Sequence, residues 1–250
     1  MGGPGNNGTG YACPRGTFCP APGSVTPTPC LNGTYNALEG QAECTPCPAS
    51  YACPEGSFQP QPCPAHAFCP VGTGAGLACP PGTFSANESS HAAPADCPAC
   101  PAGSYCLDGQ IAGPCSAGFW CRSGQASPAP TPLVGYGYPV STSVFGAPCP
   151  IGSWCPLGAV APIACPNGTV NSVAGGASLQ ACLPCRAGEI CYPGVPFADP
   201  CPAGAFCPAG VPAPLPCPVA TYNLLPSQPS QASCLACLPG YECREVSEVP

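Results

Sequence analysis

Cysteine is the residue with most chemistry to offer in this chain: 26 of 250 residues are Cys, against two His and 11 carboxylates. The thiols stand at Cys13, Cys19, Cys30 and Cys44, then at Cys47, Cys53, Cys63, Cys69, Cys79 and Cys97. They continue at Cys100, Cys106, Cys115, Cys121, Cys149, Cys155, Cys165 and Cys182, then Cys185, Cys191, Cys201, Cys207, Cys217 and Cys234, and end at Cys237 and Cys243. Thiols in this number can hold metal, attack a substrate or oxidise in pairs. The C-x2-C steps at 44/47, 97/100, 182/185 and 234/237 have zinc-like spacing. Each of them, however, joins two elements of a larger repeat, and neither His66 nor His91 is spaced from Cys as a finger ligand would be. A nucleophilic thiol needs a His base and a third, orienting group; there is no H-E-x-x-H and no Gly-rich phosphate loop. Glu242, Glu245 and Glu248 lack the alternating oxygen ligands of a calcium loop and read as a solvated face. An even cysteine count at about a tenth of the chain reads instead as a disulfide framework made in an oxidising, extracellular compartment, with all the cysteines paired within the chain. No catalytic residue, metal or cofactor is expected.

The elements that position these thiols follow from their spacing. A short C-x5-C, a gap of about ten residues and a long C-x13 to C-x17 loop ending in C-x2-C recur in fixed order. The short element appears nine times, as in CPRGTFC at 13, CPAHAFC at 63 and CPAGSYC at 100. Seven copies carry Gly at the fourth position, where a tight turn demands positive φ; the exceptions are Ser50 and His66, and His66 reads as a turn residue. Phe18, Phe68, Tyr105, Trp120, Trp154 and Phe206 precede the second Cys, where a ring can cover a neighbouring disulfide. Proline after the first Cys limits helix. Spacing leaves the pairing open. In a local scheme each C-x5-C and each long loop closes on itself; in a crossed scheme Cys47 pairs with Cys63 and Cys53 with Cys69.

The repeat divides the chain into a lead-in at 1–12, a partial repeat at 13–46, a repeat at 47–99, an expanded repeat at 100–184, a repeat at 185–236 and the start of another at 237–250. The expansion holds an extra C-x5-C and a Cys-free insert, 122–148. That insert opens on a stiff PAPTP spacer and offers Leu133, Tyr136, Tyr138 and Phe145 either as a loop surface or as a contact with a neighbouring subunit.

Composition narrows the class further. With 42 Pro and 32 Gly, and much of the 45% hydrophobic fraction in Ala and Cys, buried apolar area cannot be the main restraint, and covalent staples take its place. Lys is absent and only Arg15, Arg122, Arg186 and Arg244 are basic, so the net charge of -7 excludes nucleic-acid binding. No stretch approaches the roughly 18 apolar residues that would cross a bilayer as a helix, so this segment inserts in no membrane directly. The opening MGGPGNNGTG has neither the basic nor the apolar region of a signal peptide, so the chain is expected to be a fragment or a processed product. With 6% charged residues, solubility is expected to come partly from covalent sugar. Four N-x-[ST] sequons offer attachment at Asn7, Asn32, Asn87 and Asn167. Asn32 and Asn167 lie two residues after the Cys that opens a long loop, so corresponding turns would carry glycan. Pro- and Ser/Thr-rich stretches such as SVTPTP at 24–29 are further candidates for O-linked sugar.

The stretches CPPGTFSANESSHAAPADCPACPAGSYC and CPNGTVNSVAGGASLQACLPCRAGEIC resemble the ephrin-receptor-like cysteine-rich repeat, itself similar to tumour-necrosis-factor-receptor modules. The resemblance runs from Cys13 to Cys243. It implies a non-catalytic surface or matrix protein, of the kind found in large algal and protist surface proteins. The richness in Pro and Ala and the doubled C-x5-C depart from the receptor pattern.

The expected fold is a set of small disulfide-rich repeats, an elongated rod of turns and short β-hairpins with almost no helix. The expected role is an extracellular structural glycoprotein in a surface fibre, such as a mastigoneme-like flagellar hair or a wall or matrix filament. Its partners would be further copies of itself or other surface glycoproteins. The competing expectation is the stalk of a receptor or adhesion ectodomain that presents a ligand-binding domain.

Overall fold

The computed structural model describes residues 10–86, 91–131, 146–240 and 243. Among these residues the only helical segments are single 3₁₀ turns at Pro94–Asp96, Leu179–Ala181 and Gln231–Ser233, each running into the Cys that ends a long loop. The rest is turns and eleven two-stranded sheets whose strands are two to five residues long. Thr17–Phe18 pairs antiparallel with Thr28–Pro29, and Ala205–Phe206 with Leu215–Pro216. The fold is a series of small disulfide-rich repeats with almost no helix, as the Pro and Gly content requires.

One heptapeptide underlies every repeat. Its first residue is Cys, and a hydrogen bond from the N–H of position 5 to the carbonyl of position 2 closes a turn, for example Thr17 to Pro14 at 3.1 Å and Thr169 to Pro166 at 3.1 Å. Position 4 has positive φ, from 63° at Ala220 to 89° at Gly240, the signature of a type II turn. His66 (68°) and Ser50 (70°) adopt the same conformation without being Gly. The turn occurs at the eight C-x5-C elements whose residues are all described and also at the start of each long loop, in CLNGTYN, CPPGTFS, CPNGTVN and CPVATYN. In those four, position 7 is Asn36, Ser85, Asn171 or Asn223, all of them buried, where the other nine place Cys.

The cysteines pair locally. Each C-x5-C closes on itself, as in Cys47–Cys53 and Cys201–Cys207. Each long loop closes between its ends, in Cys30–Cys44, Cys79–Cys97, Cys165–Cys182 and Cys217–Cys234. No cysteine is free among the described residues.

The chain forms two compact units. The first comprises Met1–Pro101, Tyr105–Gly113 and Ser123–Ser127; the second comprises Ala102–Ser104, Pro114–Arg122 and Pro128–Pro250. Within each unit, position 4 joins one turn to the next. Its N–H donates to the position 7 carbonyl of the following turn, and its own carbonyl accepts the N–H of the following Cys at position 1. In the first unit Gly33 donates to Cys53 at 2.8 Å and accepts from Cys47 at 2.8 Å; in the second, Gly188 donates to Cys207 at 2.8 Å and accepts from Cys201 at 2.9 Å. The same pair of bonds recurs from Gly16 to Gly82 in the first unit and from Gly103 to Gly204 in the second.

The core is correspondingly divided. Position 6 of one turn packs on the disulfide of the next: Ala52 on Cys63 and Cys69, Phe68 on Cys79 and Cys97, Trp120 on Cys149 and Cys155, Ile190 on Cys201 and Cys207. Phe68 and Trp120 thus cover a neighbouring disulfide as rings at this position are expected to, and Ala52 and Ile190 do the same without a ring.

Candidate functional site

Position 4 faces the next turn and position 6 faces its disulfide, while position 3, the first corner of the turn, is exposed in most copies and half-buried at Ala49, Ala65 and Ala203. Arg15, Asn32, Ala102, Ile151, Asn167 and Val219 occupy it and are exposed. The two sequon asparagines within the described residues, Asn32 and Asn167, are therefore presented outward, one in each unit. In both, the Thr at position 5 turns its hydroxyl back to the carbonyl of position 2: Thr34 to Leu31 at 2.8 Å and Thr169 to Pro166 at 2.7 Å. The asparagines differ in their surroundings. Asn32 Oδ1 accepts the backbone N–H of Glu55 at 2.9 Å, and Gly74 lies so close that a Cβ there would stand 2.7 Å from the Asn32 Cβ. Asn7 and Asn87 lie outside the described residues, as do Leu133, Tyr136, Tyr138 and Phe145 of the insert and Glu242, Glu245 and Glu248.

The buried asparagines at position 7 have a different role. The side-chain amides of Asn171 and Asn223 donate to the position 5 carbonyls of the preceding turn, Ser153 at 2.8 Å and Ala205 at 3.0 Å. Their Oδ1 atoms accept from Val173 and Leu225, both at 3.0 Å. Asn36 likewise donates to Thr17 at 2.9 Å and to Glu43 at 3.1 Å. Where position 7 is Asn and not Cys, the carboxamide ties its turn to the preceding one, and the first Cys closes a longer loop instead. Counting only C-x5-C in the sequence misses these residues; the signal is the C-x2-[GA]-T-x-[NS] string at the head of each long loop.

Other groups do not converge. His66 Nδ1 lies 3.2 Å from the Gly109 carbonyl, while its φ of 68° is that of a turn residue. Arg122 sits over the Trp120 ring, 5.5 Å from its centroid. Among the described residues, no three His, Cys, Asp or Glu side chains are grouped to hold a metal ion. A hollow of about 440 Å³ in the second unit, lined by Val170, Val173, Ala181 and Leu183 among others, contains no titratable side chain. No helix among the described residues is long and apolar enough to cross a membrane. No protein-family model matches the chain, and no curated protein matches it.

Proposed function

We propose that this chain is a non-catalytic, load-bearing stretch of an extracellular filament, stapled by disulfides and bearing covalent sugar. The observation that supports this most directly is the coupling of turns through position 4, where one residue both donates to and accepts from the next turn, from Gly16 to Gly82 in the first unit and from Gly103 to Gly204 in the second. Material of this construction resists strain locally, since each turn is closed covalently and bonded mainly to its neighbours. Full pairing of the described cysteines suits an oxidising exterior. The ephrin-receptor-like resemblance agrees with a surface or matrix location, and self-association or association with other surface glycoproteins would complete the filament.

Electron microscopy of the native secreted material before and after reduction tests this. Filaments with a regular axial repeat that disappear on reduction are the expected result. Single dispersed particles under both conditions would overturn the filament reading in favour of a receptor or adhesion stalk.

A further inference from the structure

Asn32 and Asn167 have the same sequon, NGT, and the same turn position, yet the next turn treats them differently. Two residues after the second Cys of that turn stands Glu55 in the first unit and Pro193 in the second. Glu55 has an N–H and gives it to Asn32 Oδ1 at 2.9 Å. Pro193 has no N–H and has none to give Asn167. The turn after that places Gly74 against Asn32, where any side chain would collide with the Asn32 Cβ; the corresponding residue in the second unit is Pro212.

We infer that Asn32 and Asn167 both carry N-linked oligosaccharide, and that Asn32 alone also ties its turn to the next through the same carboxamide. The two roles use different atoms. In N-glycosylation the Asn nitrogen displaces the pyrophosphate of a lipid-linked oligosaccharide donor: an N–C1 bond forms, the C1–O bond to phosphate breaks, and one amide proton is released. The Oδ1 lone pairs are untouched, so a glycosylated Asn32 still accepts from Glu55. At Asn167 the glycan stands on a turn corner with no such tether. The glycan half of the inference rests on the extracellular reading; the tether does not.

Glycopeptide mass spectrometry of the protein isolated from its native source, with enzymatic deglycosylation in heavy-oxygen water, reads the first half. Label at both Asn32 and Asn167 is the expected result. Unmodified peptides from native material, with both sites modified when the chain is expressed through a eukaryotic secretory pathway, would support the sites and overturn the extracellular reading. Unmodified peptides from both sources would overturn the sites.

Amide hydrogen exchange on the intact chain reads the tether. Asn32→Asp and Asn32→Ala both abolish the glycan, but the first keeps an acceptor. Exchange at Glu55 is expected to stay slow in Asn32→Asp and to rise about fivefold in Asn32→Ala, the loss of one ordinary hydrogen bond. Pro193→Ala supplies the missing donor, and the amide introduced at 193 is expected to be protected in the wild-type background and exposed when Asn167→Ala is added. Equal Glu55 exchange in the two Asn32 variants would overturn the tether.

Discussion

At the scale of single residues, position 4 answers to two constraints, conformation and space. Gly118 has φ of 88°, and a Cβ on it would lie 2.7 Å from the Gly175 carbonyl oxygen. Gly118→Ala is therefore expected to cost about 2 kcal/mol from the left-handed conformation alone, with the collision added, measured as a lowered thermal midpoint. Ala220 predicts the opposite sign. It holds φ of 63° with a β-carbon, so Ala220→Gly is expected to stabilise by about 1 kcal/mol in denaturant titration. At position 7 the carboxamide matters more than its volume. Asn223 is buried and satisfies the Ala205 carbonyl and the Leu225 N–H, so Asn223→Ala is expected to cost about 2 kcal/mol, read in the same titration.

At the scale of elements, the two kinds of closure differ in how much chain they restrain. Cys165–Cys182 spans a sequence separation of 17, Cys185–Cys191 one of 6. Chain entropy assigns about 3 kcal/mol to the first and about 2 kcal/mol to the second, so replacing both cysteines of the long closure by Ser should lower stability more. Paired calorimetry on the two double variants checks the order. The 79–97 loop also carries its own order: the Asp96 carboxylate accepts from the N–H groups of Ala92 and Ala93, both at 2.9 Å, and sets the 3₁₀ turn that delivers Cys97 to Cys79. The strands are too short to be stable alone; they persist because the turn and the disulfide at each end already fix the register.

At the scale of the molecule, the near absence of basic residues makes proteolysis a readable test of the pairing. Trypsin has only Arg15, Arg122, Arg186 and Arg244 to cut at. Arg15 lies inside the Cys13–Cys19 closure and Arg186 inside Cys185–Cys191, so cuts there leave the pieces joined. Arg122 lies between Cys115–Cys121 and Cys149–Cys155, outside any closure, and a cut there divides the chain covalently. Digestion without reductant should therefore yield a 1–122 species and a 123–244 species, and reduction should resolve each into two. A crossed pairing in which Cys185 meets Cys201 and Cys191 meets Cys207 would link the same two tryptic peptides, so a second cut before Asp199, between the two closures, distinguishes it: local pairing lets the pieces separate there and crossed pairing keeps them joined. In the native protein the stacking of Arg122 on Trp120 is expected to slow the central cut.

Much of this architecture is legible from residue type alone. Proline after the first Cys, Gly at position 4 and the density of thiols exclude helix and demand stapled turns, because they act on the backbone within a few residues of themselves. His66 as a turn residue could be read for the same reason: it fills the slot of a turn glycine. Three things needed the tertiary structure. Spacing left local and crossed pairings both open, since each brings the right number of cysteines together and only three-dimensional proximity separates them. The four long-loop turns were hidden because Asn36, Ser85, Asn171 and Asn223 stand where the other turns have their second cysteine, and the bonds of the three carboxamides to the preceding turn are seen only in three dimensions. The difference between Asn32 and Asn167 was hidden as well, because the residue that decides it, Glu55 or Pro193, lies more than 20 residues further along the chain and meets the sequon only when one turn is set on the next.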